Sequence, residues 1–174
     1  LLMAGAIIDR LGTRAGYALA ISVWSVAAMS HSLATTVVGF MIARFLLGLG
    51  EAGNFPAALK TVAEWFPRRE RSFATGIFNA GANVGAILAP LSVPFVAVTW
   101  GWQAAFLFTG ALSATWLVVW LTVYRSVDKH PKVSPAELAY IRSDPEEPVT
   151  RLPWLQLLKY RQTWAFALAK FMTD

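Results

Sequence analysis

An arginine and a glutamate, Arg44 and Glu51, lie seven residues apart in the apolar segment ARFLLGLGEAGNFPAALK. A charge at bilayer depth costs about 2.5–3.5 kcal/mol even on insertion-based scales, so such residues face a bundle interior or a polar path. Seven residues is nearly two helical turns, which predicts one stripe with about 10 Å between the two positions along the axis. Gly48 and Phe55 share this stripe, and Gly48 leaves room for a water molecule or a ligand group.

Two interpretations of this pair are open. In the first, the two charges form a structural ion pair, or pair with other helices of a bundle. In the second, which we favour, the stripe faces a water-filled path near the midplane, where transporters place substrate and coupling-ion sites. Glu51 then binds and releases a proton during transport.

Polar residues recur in two later apolar segments. Asn79 and Asn83 are spaced i, i+4 and predict one amide-bearing helix face near the bilayer centre. Their amides need partners, which are either a polyhydroxylated ligand and water or the adjacent helices. Lys170 lies about seven residues into the last apolar segment. It either extends back to the interface or presents a cation to an anionic solute.

Small residues predict where helices pack closely. Gly50, Gly53 and Ala57 form a face separate from the charged stripe. Gly81 and Gly85 lie opposite the asparagines on their own segment. Small side chains let helix backbones approach each other in membranes, so we expect both faces to contact a neighbouring helix.

The elements that carry these residues are predicted to be membrane-spanning helices. Hydrophobic residues make up 56% of the 174 positions and charged residues 14%, whereas an average soluble domain has about 25% charged residues. The mean hydropathy is +0.51. The predicted segments are the end of one span at 1–8, spans at 16–29, 37–60, 73–96 and 102–124, and the beginning of another near 163. Pro90 and Pro94 predict a kink in one of them.

The net charge of +5 is distributed unevenly along the chain. Basic residues concentrate in alternate connections, around 9–14, 64–72 and 125–162, whereas 31–36 and 96–102 carry no charged residue. This asymmetry predicts a multi-pass protein of the cell (plasma or inner) membrane with its basic loops in the cytoplasm. Nucleic-acid binding is disfavoured because no soluble domain remains to form a binding face.

Three regions follow from this pattern. Residues 1–124 form a partial N-terminal helical bundle, 125–162 a cytoplasmic linker, and 163–174 the start of another helix. Within the linker, Ser134 and Glu137 predict a capped helix at 135–141, and 152–162 is amphipathic and basic enough to lie on the membrane surface. The chain begins and ends inside apolar runs, which we interpret as an internal part of a longer protein. The absence of cysteine excludes disulfides, and two isolated histidines disfavour a metal site.

The segment GAIIDRLGTRAG resembles the G-x-x-x-D-R-x-G-x-R loop motif of the major facilitator superfamily. The matching residues are Gly5, Asp9, Arg10, Gly12 and Arg14. The resemblance implies an all-α membrane fold in which this chain covers the end of helix 2 to the start of helix 7. It also implies that these residues form a conformational latch, in which the carboxylate meets a helix N-terminus and the arginines pair across the inner face.

The stretch from Arg44 to Pro90, with AEWFP, ERS and IFNAG, resembles the anion:cation symporter branch of that superfamily, and within it the hexuronate transporters. GWQAAF and the SPAEL linker fit as well. The resemblance implies that Arg44 and Glu51 belong to the anion- and proton-handling network. It implies that Asn79 or Asn83 contacts the sugar acid.

These observations predict a monomeric transporter that takes up a hexuronate with protons by alternating access and needs no cofactor. Sodium remains an alternative coupling ion. The nearest alternative substrates are galactonate, glucarate or an aromatic acid, and drug efflux by antiport fits less well. A membrane enzyme is disfavoured because no reactive pair or metal cluster lies near an interface.

Overall fold

The computed structural model describes residues 2–144, 156 and 158–173, and within them the regular structure is helical. The all-α prediction is therefore confirmed. The α-helices of these described residues are α1 Leu2–Leu11, α2 Thr13–Ser30, α3 Val37–Glu51, α4 Asn54–Trp65, α5 Arg68–Trp100, α6 Trp102–Val123, α7 Pro135–Ile141 and α8 Arg161–Thr173.

Within the described part of the chain, three helical segments are long and apolar enough to cross a membrane: Val37–Trp65, Arg68–Trp100 and Trp102–Val123. The 18-residue helix α2 packs against α3, α4 and α6. Its Ile21 is completely buried, in a core cluster that also contains Ile8, Tyr17 and Trp120. The helix α2 is therefore the element against which α1, α3, α4 and α6 are positioned.

The span predicted over 37–60 consists of two helices in the structure. The helix α3 ends at Glu51, a turn follows at Ala52 and Gly53, and α4 begins at Asn54. The cause is Pro56, which has no N–H to donate to the carbonyl of Ala52 and whose ring crowds that carbonyl. The backbone forms a tighter turn here, in which the Gly53 amide donates to the carbonyl three residues back, that of Gly50, at 3.1 Å. The span predicted over 37–60 therefore lies within the candidate membrane span Val37–Trp65, which contains a turn between its two helices.

The basic loop predicted over 64–72 is also shorter than expected. Only Phe66 and Pro67 separate α4 from α5, and Phe66 is extended (φ −124°, ψ 138°), as a residue before proline prefers. The arginines of this segment therefore lie in the first turn of α5. Arg71 donates to the carbonyls of Ala63 at 2.9 Å and Phe66 at 3.1 Å, which satisfies the end of α4. Further along, α5 continues without interruption through both of its internal prolines.

One of the two predicted close-packing faces is confirmed. A Cβ at Gly50 would lie 2.6 Å from the backbone nitrogen of Trp24, and one at Gly53 would lie 2.7 Å from Cβ of Ala20. Ala57 on the same face is completely buried. In contrast, a Cβ at Gly81 or Gly85 would have no atom within 4 Å among the described residues. Packing of that second face stays a prediction.

The connections that carry basic residues lie at one end of the helical bundle, which we call the basic end. There, Arg14 at the start of α2 contacts Leu121 near the end of α6. At the opposite, uncharged end, Phe40 of α3 lies 5.6 Å from Trp102, ring centre to ring centre. Alternate helices therefore run in opposite directions, as a multi-pass arrangement requires.

The predicted linker contains ordered structure at its beginning. The helix α7 occupies the predicted Pro135–Ile141, and the Ser134 hydroxyl accepts from the Glu137 amide at 3.1 Å. Residues Leu1–Asp144 form one compact unit and Pro145–Asp174 a second, so the division falls inside the linker predicted over 125–162. In the second unit the Trp164 indole donates to the Leu158 carbonyl at 2.9 Å. Residues 152–155 and 157 of the predicted interfacial segment 152–162 lie outside the described residues.

Candidate functional site

The charged stripe lies on α3, with Arg44 in its middle and Glu51 as its last residue. Both side chains are exposed. Within the described residues, neither of them has an ion-pair or hydrogen-bond partner. The direct ion pair of the first interpretation is therefore not formed here. The two charges remain available to other groups.

Packing against α2 determines which face of α3 stays open. Ala43 and Gly50 of α3 are buried, and a Cβ at Gly50 would collide with the Trp24 backbone of α2. The stripe of Arg44 and Glu51 lies on another side of the helix. At Gly48, between the two charges, an added Cβ would meet no atom of the described residues within 4 Å. The room predicted at this position is present.

Arg44 also lines a groove of about 550 Å³ at the uncharged end. Its other walls are apolar or aromatic, with Phe40 and Phe45 from α3 and with His31 and Phe106 opposite. The His31 ring stacks on Phe106 at 4.9 Å, and its Nδ1 lies 2.7 Å from the Ala27 carbonyl. Because a carbonyl only accepts, Nδ1 is the donor. The groove thus combines apolar walls with the Arg44 guanidinium.

The amides of Asn79 and Asn83 are exposed on α5. Neither has a hydrogen-bond partner among the described residues. Phe78 packs against Phe55 in the first turn of α4, with ring centres 6.3 Å apart. The structure therefore places α5 beside the start of α4, and among the described residues no bond forms between the amides and the charges.

Lys170 lies within α8, and its side chain is outside the described residues. Its helix belongs to the second compact unit. Whether it extends to an interface or contacts a solute stays a prediction.

The Asp9 carboxylate of the motif has a partner that differs from the expected helix N-terminus. It accepts a hydrogen bond from Lys60 of α4 at 2.8 Å. The same ammonium group lies 3.4 Å from the Ile8 carbonyl. No local sequence pattern indicated this pair, because the two residues are 51 positions apart.

The other motif residues shape the turn between α1 and α2. Gly12 has φ +78°, a conformation that glycine adopts at little cost. A Cβ at Gly5 would lie 3.9 Å from Cβ of Pro56. Arg14 donates to the Leu121 carbonyl at 2.5 Å, and the Trp120 indole donates to the Arg14 carbonyl at 3.1 Å. Arg10 is exposed.

Glu64 joins three helices at the basic end and was also missed as a functional residue. Its carboxylate accepts from the Thr13 hydroxyl at 2.5 Å and from the Tyr124 hydroxyl. Burial, and then the hydrogen bond and negative charge of Glu64, raise the pKa of Tyr124 above its usual value. The phenol therefore stays protonated and remains a donor. The segment AEWFP marked this position, but no spacing indicated Thr13 or Tyr124 as its partners.

The first part of the linker contacts the corner between α4 and α5. The Tyr140 hydroxyl donates to the Glu70 carboxylate, and the Arg69 guanidinium lies 4.9 Å from the centre of the Tyr140 ring. The Asp144 carboxylate accepts from the Arg69 amide at 3.2 Å. Because that amide is one of the unpaired N–H groups of the first turn of α5, Asp144 stabilises the start of this helix.

Comparison with known proteins shows the family to which the chain belongs. A family model described as Major Facilitator Superfamily matches residues 1–173. A galacturonate transporter of Dickeya chrysanthemi is 39% identical over 99% of this chain and 51% of its own length. A hexuronate transporter of Escherichia coli (strain K12) is 37% identical over 99% of this chain and 41% of its own.

A more divergent relative is named after a different sugar acid. A D-galactonate transporter of Escherichia coli O6:H1 is 36% identical over 79% of this chain and 32% of its own length. The chain thus spans about half the length, or less, of the relatives it matches.

Proposed function

This chain belongs to the major facilitator superfamily, and we propose that the whole protein takes up a hexuronate anion together with protons by alternating access. The substrate class is supported by the relatives named as galacturonate and hexuronate transporters. The basic end is the cytoplasmic end in this proposal, in accordance with the distribution of basic residues.

The observation that carries the proposal is that neither Arg44 nor Glu51 has a partner among the residues that the structure describes. Two charges on one face of a membrane-spanning helix are costly unless water, a ligand or another helix contacts them. The open space at Gly48 leaves room for a ligand group between them. A guanidinium binds a carboxylate in a two-pronged geometry, so Arg44 is the group that holds the acid function of the sugar.

Charge balance on the stripe supplies a reason for coupling. Arg44 and an ionised Glu51 together carry no net charge. An anion bound alone leaves one net negative charge on the stripe, and a proton bound alone leaves one net positive charge. Binding both restores neutrality. Removing a net charge from water costs free energy. The transporter therefore reorients either with neither ligand bound or with both the anion and the proton bound.

The remaining polar groups supply recognition and closure. The amides of Asn79 and Asn83 can each donate and accept, as sugar hydroxyls require. At the basic end, the Lys60–Asp9 pair and the Glu64 bonds connect α1, α2, α4 and α6. Such side-chain bonds can break and re-form when a bundle rocks.

Transport by the full-length protein in liposomes tests the proposal. Labelled galacturonate should exchange across the membrane in counterflow and should accumulate when the outside is made acidic. Accumulation with a sodium gradient but not with a proton gradient would replace the proton by sodium. A specific observation, the D-galactonate relative, makes galactonate the second candidate. Exchange of galactonate without exchange of galacturonate or glucuronate would select it.

A further inference from the structure

The regular pattern of helical backbone hydrogen bonds is interrupted directly after Glu51. Pro56 leaves the Ala52 carbonyl without its usual helical donor. The Gly53 amide bonds three residues back, to Gly50, rather than four. The position of the Glu51 carboxylate therefore depends on contacts made by neighbouring residues of the joint, which we define as 50–56.

Those contacts come from α2. The Gly50 and Gly53 faces rest on the α2 backbone and on Ala20. At the first residue of α4, the Asn54 side-chain carbonyl accepts from the Tyr17 hydroxyl at 2.8 Å. This bond is directional, whereas the glycine contacts only limit how closely the helices approach.

Tyr17 is itself fixed in place. Its side chain is 8% exposed. Its ring packs edge-to-face against Trp24 at 5.8 Å and against Trp120 at 4.7 Å, between ring centres. Because this donor is fixed, its hydrogen bond determines how Asn54 is oriented and positioned relative to α2. Asn54 follows Glu51 by three positions, which is less than one helical turn.

We propose that Tyr17 and Asn54 are positioning residues for Glu51. Their hydrogen bond holds the joint so that this carboxylate keeps a defined distance from Arg44 and from the path of the substrate. The inference rests on the proposed function of Glu51 in proton coupling. It adds two residues, Tyr17 and Asn54, that touch neither the substrate nor the proton.

The other ionisable groups of the helices around the joint lie farther from it. Tyr17 is the titratable side chain that α2 contributes near the joint. Arg14 of α2, Asp9 of α1 and Lys60 of α4 lie towards the basic end, and α5 carries no ionisable residue after Arg71. The Thr13–Glu64 bond also joins α2 to α4, but Glu64 is ten residues from Asn54, or about 15 Å along a helix. It cannot orient the joint.

The test compares Tyr17→Phe, Asn54→Ala and the double variant in the full-length protein. Tyr17→Phe keeps the ring between its two tryptophans and removes only the donor. The measurement is the pH midpoint of proton-driven galacturonate accumulation in liposomes, together with counterflow at one pH and protein level. Ser22→Ala is the matched control, since the Ser22 hydroxyl bonds only within α2, to the Ala18 carbonyl at 2.8 Å.

Each single variant should shift the midpoint by roughly 0.5–1 pH unit in the same direction, as expected for losing one hydrogen bond that positions a titrating group. The double variant should shift it no further, and counterflow should stay within about two-fold of wild type. Should Tyr17→Phe lower the protein level, Asn54→Ala reports on the same bond.

An unchanged midpoint in Asn54→Ala, or shifts that add in the double variant, would overturn the inference while leaving the proposed function intact. A wild-type protein whose accumulation ignores pH would instead overturn the proposed function.

Discussion

Lys60 of α4 donates a hydrogen bond to Asp9 at the end of α1, with 2.8 Å between Nζ and Oδ1. The helix α4 thus carries three anchors within eleven residues: Asn54 to α2, Lys60 to α1, and Glu64 to α2 and to Tyr124 after α6. It begins at Asn54, within the joint 50–56 that contains Glu51. The short helix therefore connects the charged stripe to the basic end.

Breaking the Lys60–Asp9 pair should alter transport rate more than stability. The two side chains are 29% and 72% exposed, and exposed pairs contribute about 0–1 kcal/mol. We expect Lys60→Met and Asp9→Asn each to leave the thermal midpoint in detergent almost unchanged and to slow galacturonate uptake. Exchanging the two charges, Asp9→Lys with Lys60→Asp, should recover part of the rate. An equal loss of uptake rate in all three variants would mean that the ion pair between these residues does not contribute to transport.

The contact of Gly50 with α2 predicts a strong effect of one methyl group. In Gly50→Ala the new Cβ would lie 2.6 Å from the Trp24 backbone nitrogen, and overpacking of this kind destabilises by about 1–3 kcal/mol. Gly76→Ala on α5 is the control, because its Cβ would meet nothing within 4 Å and alanine favours a helix by about 1 kcal/mol. Thermal stability and membrane level should fall only in Gly50→Ala. A drop of the same size in both variants would contradict the packing.

Tyr124 predicts a loss of stability at alkaline pH. Its pKa is raised in the folded protein above the ordinary value of about 10. A group of this kind stabilises the fold fully below its unfolded pKa, and this stabilisation decreases as pH rises above about 10, when the unfolded chain alone releases the proton. Thermal midpoints between pH 8 and 11 should therefore fall less steeply for Tyr124→Phe than for wild type. The exposed Tyr160→Phe should follow wild type; equal slopes in all three would refute the prediction.

The contacts of α7 predict that the first part of the linker stays on the bundle. Cysteines at Glu70 and Tyr140 should be joined efficiently by a short bifunctional thiol reagent in the full-length protein, with any cysteines outside this chain replaced. The chain itself contains no cysteine. A cysteine at Ala139 in place of Tyr140 is the control and should react less. Equal cross-linking of the two pairs would indicate a linker that does not dock on α5.

The sequence predicted those features that depend on neighbouring residues. Ser134 and Glu137 are three positions apart, so their cap and the helix α7 follow from local rules, as does the close packing of Gly50 and Gly53. The interruption after Glu51 was missed even though its cause, Pro56, lies in the same segment. Apolar character predicts that a segment spans the membrane, but it does not predict that the segment is one helix.

The partners of Asp9 and Glu64 could not be predicted in the same way. Asp9 bonds to a residue 51 positions away, and Tyr124 lies 60 positions from Glu64. Pairing over such separations depends on how the helices are rotated around α2, and the rotation is set by the sum of many small packing contacts. Charge and periodicity constrain the rotation of one helix only. The Tyr17–Asn54 bond was missed for the same reason.

The substitution Glu51→Gln tests the central claim most directly, because it keeps size and shape and removes the titratable proton. Galacturonate counterflow and pH-driven accumulation are measured in parallel for the full-length protein, each normalised to protein in the membrane. If Glu51 carries the proton, exchange persists and pH-driven accumulation is lost, since a neutral glutamine imitates the protonated glutamate throughout the cycle. Full retention of pH-driven accumulation, or loss of both activities in well-folded protein, would contradict the account.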